Sequence, residues 1–166
     1  MNNIYAIVAM TKKTNSIGID GHMLYHLKDD LKYFKETTMD HAIICGRKTY
    51  FSFPKRPLPG RKNIILTRSF DSYEGAFTLH SKDEVLEYAK NNPDEKVFIC
   101  GGDNVYKQFM DVVSKLYITE IDEEEPVIAD SYFPEVDPEI WEVESASAYV
   151  KEDGAPKYRF MVYSRK

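Results

Sequence analysis

Short apolar runs alternate with amphipathic stretches along most of the chain. No other feature constrains the fold as much, because a buried strand needs a helix to cover each face. Ile4–Met10, Ala42–Cys45, Asn63–Thr67, Val97–Cys100 and Leu116–Ile121 have the composition of buried strands. Between the first two, Leu27, Leu31 and Phe34 recur at i, i+4 and i+7, which predicts a helix over Lys28–Thr37 with these side chains on its buried face. Further helices start at Arg47 and at Ser81-Lys82-Asp83-Glu84, a capping-box sequence whose helix runs to Lys90. Val105, Tyr106, Phe109, Met110 and Val113 line one face of another. The tail changes character: Glu142–Val150 and Lys157–Ser164 alternate around Glu152-Asp153-Gly154-Ala155-Pro156, which predicts an antiparallel hairpin on a mostly parallel sheet. No linker or repeat interrupts residues 1–166, so one domain is expected.

Charge is distributed unevenly. The net charge is -5, yet Gly46–Arg68 holds seven Lys and Arg and no acid. An acidic protein lacks the extended basic face that nucleic-acid binding requires, so the segment suits a small ligand with several anionic groups. No apolar run reaches bilayer-spanning length. MNNIYAIVAM has no cationic region ahead of its apolar run and reads as a strand rather than an export signal. Cys45 and Cys100 form no CxxC pair and read as buried thiols in a reducing cytoplasm. Asp122–Pro126 reads as a solvated acidic loop.

Two strand-to-helix junctions contain glycine: Cys45-Gly46-Arg47-Lys48-Thr49 and Cys100-Gly101-Gly102-Asp103-Asn104. Such a turn presents backbone N–H groups and a helix dipole to an anion, and glycine permits close approach. Neither matches GxGxxG or a Walker A loop, and either could be purely structural. Arg61 and Arg68 divide evenly between ligand contacts and solvated surface, whereas Lys55, Arg56 and Lys62 read as solvated. Asp30 falls on the apolar face of its helix and Asp29 points away. A carboxylate there is costly unless paired, functional or used at the helix N-terminus. His22 and His26 have helical metal spacing but no third ligand, so no metal site is expected.

Taken together, the motifs resemble dihydrofolate reductase of the bacterial chromosomal type. The resemblance rests on Ile7-Val8-Ala9, Ile17-Gly18, Met23, Leu27-x-x-Asp30-Leu31-x-x-Phe34, Gly46-Arg47-Lys48-Thr49, Arg56-Pro57-Leu58-Pro59-Gly60-Arg61, Asn63 to Arg68, Gly101-Gly102, Leu116 to Thr119 and Asp130-x-x-Phe133-Pro134. It implies a three-layer αβα sandwich around a mostly parallel sheet of about eight strands. It also implies reduction of 7,8-dihydrofolate by hydride from NADPH, in a cytoplasmic monomer that antifolate inhibitors would also bind.

By the same resemblance, Asp30 with Thr119 would hold the pterin, and Ile7, Val8, Met23, Leu31, Phe34, Phe53, Leu58 and Cys100 would line the substrate pocket. Arg61 would pair with the carboxylate of the substrate's glutamate tail. Arg47, Leu66, Thr67 and Arg68 would hold the cofactor's 2′-phosphate end. Gly46, Lys48 and Thr49 at one junction, and Cys100, Gly101, Gly102, Asp103, Asn104 and Val105 at the other, would hold its pyrophosphate. Ala9, Ile17 and Gly18 would fix the carboxamide, Tyr106 would sit by the nicotinamide, and a loop over Ile17–Leu24 would close the site.

Leu24-Tyr25 stands where the family has Pro-Trp, which makes the Tyr25 hydroxyl the substitute for an indole N–H beside Asp30. Trp141 reads as a structural anchor. Two other readings compete. A riboflavin-pathway reductase would keep the cofactor residues but lack the Asp30 and Arg61 pair, and a non-catalytic nucleotide-binding module would rest on the basic stretch alone.

Overall fold

The computed structural model describes residues 1–166. In chain order the elements are β1 (Ile4–Thr11), β2 (Ser16–Ile19), β3 (His22–Met23), α1 (Lys28–Thr38), β4 (Ala42–Gly46), α2 (Arg47–Ser52), β5 (Lys62–Leu66), β6 (Phe77–Leu79), α3 (Lys82–Asn91), β7 (Val97–Ile99), α4 (Asp103–Phe109), β8 (Lys115–Asp122), β9 (Ser131–Tyr132), β10 (Trp141–Ala146) and β11 (Lys157–Arg165). Eight strands form one sheet in the order β10-β11-β8-β1-β7-β4-β5-β6. All neighbours from β8 to β6 are parallel, and β11 runs antiparallel to both β8 and β10. This is the expected α/β architecture with its antiparallel C-terminal hairpin.

The two faces of the sheet are filled unequally. Alternate residues of β1, Ile4, Ala6, Val8 and Met10, enter a cluster of 20 buried residues that includes Val85 and Ala89 of α3 and Val105 and Phe109 of α4. Trp141 is buried in this cluster too, under the Arg165 guanidinium at 4.5 Å. Ile7, on the opposite face, joins only Ile43 and Phe98 as fully buried partners, with Phe34, Phe53, Leu58 and Cys100 packed at the edge. Apolar surface on that side is left facing a cleft, which is why helix and loop residues there remain part-exposed.

Local sequence explains the individual elements. Ser81 caps α3, its hydroxyl accepting from Glu84 N at 3.1 Å, and the Glu84 carboxylate accepts in return from His80 N at 2.8 Å, one residue before the cap. Helix α1 has no such help: its N-cap is Leu27, which makes no side-chain bond. The amides of Lys28 and Asp29 instead donate to Glu152, from the hairpin loop, at 2.9 and 3.2 Å.

Three sequence expectations are corrected. Residues Ile17–Leu24 form part of a three-stranded sheet, β3-β2-β9, rather than a plain loop. β2 pairs with β3 in a tight hairpin around Asp20-Gly21 and with β9 from a distant segment, and strands this short leave little periodic signal. Leu31 is 46% exposed rather than buried, because it stands on the wall of the cleft. Cys100 is likewise part-exposed on that wall, while Cys45 is buried as expected and the two thiols are free.

The loop that precedes β5 is held by a side chain. Asn63, 2% exposed, accepts from Leu58 N at 2.9 Å and donates to Leu58 O at 3.0 Å and Arg61 O at 2.9 Å. This latch fixes the turn that carries both Leu58 and Arg61. Replacing Asn63 by Ala removes three buried hydrogen bonds and is expected to cost about 2–3 kcal/mol, read as a lower denaturant midpoint at unchanged slope.

Candidate active site

The cleft has a volume of about 1490 Å³ and opens at the C-terminal ends of β1, β4 and β7, where the strand order places connections on either side. Every site residue singled out from the sequence lies on its wall. Ile7, Val8 and Ala9 come from β1, Ile17, Gly18 and Met23 from the small sheet, and Asp30, Leu31 and Phe34 from α1. Phe53, Leu58 and Arg61 follow α2, and Thr119 comes from β8. The remaining wall is formed by Gly46 to Thr49, Leu66 to Arg68 and Cys100 to Tyr106.

Asp30 sits at the apolar end. It is 7% exposed, accepts from the Thr119 hydroxyl at 2.6 Å, and belongs to none of the ion pairs. Burial raises its carboxyl above the ordinary aspartate value; the Thr119 hydrogen bond opposes this, and the nearby Glu152 charge adds to it. Helix capping does not explain the residue, because the first amides of α1 are already taken by Glu152. An acid held in an apolar cleft can bind a flat heterocycle with adjacent N–H donors and can influence its protonation.

The cationic groups lie apart from Asp30. Arg61 donates from Nε to Pro59 O at 2.9 Å and from one terminal nitrogen to Thr38 Oγ1 at 3.4 Å, and it has no carboxylate partner. Arg47, Lys48 and Arg68 are exposed at the opposite end, also without ion pairs. Cationic side chains left unpaired on a cleft wall fit a ligand that brings its own negative charge. Lys62, by contrast, is only half-exposed, with its ammonium over Phe77 and Tyr88 at 5.1 and 4.8 Å, so the expectation of a solvated side chain is corrected there.

Between these ends the two glycine junctions meet. Gly46 N donates to Gly101 O at 2.9 Å, which brings the starts of α2 and α4 together. Gly101 has φ 115°, and a Cβ there would come within 3.3 Å of the Tyr106 ring. A Cβ on Gly102 would come equally close to Thr49 Oγ1. Both positions suit glycine where a ligand backbone must pass close to the chain.

Two tyrosines on the cleft wall have their hydroxyls tied to acceptors of the protein itself. Tyr25 donates its hydroxyl to Glu123 Oε2 at 2.5 Å rather than standing free beside Asp30, and burial together with that bond pushes the phenol up to about 12. Tyr106 donates to Ile7 O at 2.7 Å and is 4% exposed, so its ring rather than its hydroxyl faces any ligand. Glu123 itself corrects the expectation of a solvated acidic loop: it is 2% exposed, and its Oε1 has no partner.

Sequence reasoning missed His80, whose Nδ1 lies 2.9 Å from Thr67 O on the cleft wall. It also missed Tyr33, stacked on Phe160 at 4.1 Å. Neither stands in a pattern that marks it. Ile17, which was identified, lies at a bulge between β2 and β9, where the register skips from Ser16 to Gly18 and leaves Ile17 without a cross-strand partner.

Comparison with known proteins agrees with this geometry. A sequence model described as dihydrofolate reductase matches residues 3–165. The dihydrofolate reductase of Haemophilus influenzae is 34% identical over 164 residues, covering 98% of this chain and 99% of that protein. That of Bacillus subtilis is 38% identical over 152 residues, covering 90% and 88%. Among solved structures, the Enterococcus faecalis dihydrofolate reductase complexed with NADP(H) and RAB-propyl superposes with a TM-score of 0.84 at 33% identity, covering 98% of this chain and 96% of that one. With a full-length family match, an acid buried at one end of the cleft and unpaired cations at the other, the chain belongs to the dihydrofolate reductase family.

Proposed function

We infer that this chain reduces 7,8-dihydrofolate to 5,6,7,8-tetrahydrofolate with hydride from NADPH, the step that serves one-carbon metabolism and thymidylate synthesis. The observation that carries this reading is the Asp30–Thr119 pair, an acid and a hydroxyl 2.6 Å apart in an apolar recess with Arg61 on the same wall. That arrangement matches a pterin at one end and a glutamate tail at the other. A riboflavin-pathway reductase has no use for the pair, and a nucleotide-binding module needs neither residue.

Asp30 accepts from the pterin N3 and 2-amino N–H groups as a carboxylate, and its negative charge beside the heterocycle favours the N5-protonated form of the substrate. Thr119 keeps the carboxyl in one orientation. Leu31, Phe34, Phe53 and Leu58 shape the channel to Arg61, whose planar guanidinium grips the α-carboxylate of the tail. Met23 and Val8 complete the substrate wall.

The residues on the other side fit NADPH: unpaired Arg47 and Arg68 with Thr67 for the 2′-phosphate, and the glycine-lined junctions with Lys48 and Thr49 for the pyrophosphate. When bound, NADPH supplies the hydride that reduces the pterin at C6. Ala9, Ile17 and Gly18 offer backbone groups for its carboxamide, and the small sheet formed by β2, β3 and β9 excludes water from the recess. Antifolate inhibitors would compete for the same recess. No helix is long and apolar enough to cross a membrane. A monomer working in the cytoplasm completes the proposal, and sedimentation of the purified protein tests its oligomeric state.

The direct test is NADPH oxidation followed by absorbance, with and without dihydrofolate. Oxidation strictly dependent on dihydrofolate is expected; cofactor binding without turnover, or turnover only with a pyrimidine substrate, would reject the reading. Asp30→Asn is expected to lower turnover on the order of 100-fold near neutral pH and less in acid, as a pH profile will record. The same substitution should stabilise the fold at neutral pH. A carboxyl raised by burial favours the folded state when protonated, and that advantage disappears as pH rises through its folded value. The Asn variant should therefore melt higher than the parent above that value, by about 2–4 °C per kcal/mol recovered, and the gap should close in acid. Arg61→Lys should raise KM for dihydrofolate about 10- to 100-fold through loss of the bidentate grip, with KM for NADPH unchanged.

A further inference from the structure

Helix α1 carries Asp30 in its first turn, yet lacks a cap of its own: Leu27 occupies the N-cap position and makes no side-chain bond. The amides that would otherwise be left open donate to a residue more than a hundred positions away. Lys28 N donates to Glu152 Oε1 at 2.9 Å and Asp29 N to Glu152 Oε2 at 3.2 Å. The Tyr158 hydroxyl donates to the same Oε2. Tyr158 is fully buried beside Leu27 and Ile121, so the carboxylate is tied from below to the core and from above to the helix.

A free helix N-terminus favours the ionised form of an acid in its first turn. Here Glu152 already accepts from the first amides, so much of that attraction is used by another carboxylate. The groups that act on Asp30 are few. Thr119 donates to it from β8, Glu152 faces it from the hairpin loop, and Tyr33 on α1 and Tyr158 on β11 both feel its charge. Asp29 lies beside it, no ion pair reaches it, and no lysine, arginine or histidine is among the groups that shift it. The one charge that reaches Asp30 from another element is therefore negative.

We propose that Glu152 is a positioning residue for Asp30: from the C-terminal hairpin its carboxylate caps and holds the first turn of α1, the turn that carries the acid. The effect on turnover rests on the reductase reading above; the effect on Asp30 itself does not. Burial raises the Asp30 carboxyl first, and Glu152 adds to it in the same direction. Glu152 itself is held low, chiefly by the Tyr158 hydrogen bond and the Lys28 amide, so it stays charged while Asp30 titrates.

The test compares wild type with Glu152→Gln, which keeps one accepting oxygen but carries no charge, and with Asp153→Asn, an exposed neighbour that makes none of these bonds. The Asp30 carboxyl is followed by carbon-13 NMR across pH, and the pH profile of hydride transfer is measured beside it. Glu152→Gln should move the Asp30 titration toward acid and lower turnover at alkaline pH about two- to threefold, with both effects shrinking at high salt because an exposed charge is screened. Asp153→Asn should move neither. Glu152→Ala should melt below Glu152→Gln, since it also loses the cap. An Asp30 titration left in place by Glu152→Gln, or moved equally by Asp153→Asn, overturns the proposal. If wild type fails to turn over dihydrofolate while Glu152→Gln still moves the titration, the reductase reading falls and the role of Glu152 stands.

Discussion

Asp30 is buried at the apolar end of a cleft, its charge uncompensated by any cation, and held by one hydroxyl at 2.6 Å. Placing a carboxylate there costs free energy that a structural residue would not justify. The rest of the molecule is arranged around keeping that group in one position. Thr119 lies on β8, which pairs with β1 through seven consecutive register positions from Tyr5↔Lys115 to Thr11↔Ile121. The partner of Asp30 thus belongs to the most firmly paired part of the sheet, and the acid inherits that rigidity.

The unequal filling of the two sheet faces follows from the same need. One face closes over a cluster of 20 residues and supplies the stability; the other keeps apolar side chains such as Leu31 and Phe34 on the wall of an open cleft. Such a wall would be a liability on a protein that binds nothing, since exposed apolar surface of this kind invites association. Under the proposed function the ligands would cover it, with Arg61, Arg47 and Arg68 on the same cleft as their charge complement.

Legibility in the sequence divides along physical lines. Strands and helices whose burial is decided by local periodicity were readable: Ile4–Met10, Ala42–Cys45 and the helix carrying Asp30 lie within a residue or two of the observed bounds. Motif residues were equally readable, because glycine at a strand–helix junction and a lone acid on an apolar face are anomalies that a sequence displays. What could not be read depends on pairing across long separations. β2 gains its second neighbour from β9, over a hundred positions later, whereas its pairing with β3 across Asp20-Gly21 is local. Glu123 looked like one more member of an acidic run, and only the fold places it 2.5 Å from the Tyr25 hydroxyl. Leu31 had the correct period and the wrong environment, since periodicity reports which face is apolar without saying whether protein or ligand will cover it.

Three of these long-range contacts converge on one short segment. Between β3 and the first turn of α1, the chain is tied by Tyr25 to Glu123, by Asp30 to Thr119, and by the Lys28 and Asp29 amides to Glu152. Thr119 lies on β8 and Glu123 just beyond its end, whereas Glu152 belongs to the hairpin loop, and β11 of that hairpin pairs with β8 along most of its length. The segment is therefore fastened to one composite edge of the sheet, through side chains at three points. The family resemblance puts Pro-Trp where this chain has Leu24-Tyr25. The Tyr25–Glu123 bond and the Glu152 cap hold the stretch through side-chain hydrogen bonds rather than through a restricted backbone. In this chain the placement of Asp30 is thereby coupled to two other acids, Glu123 through Tyr25 and Glu152 through the first amides of α1.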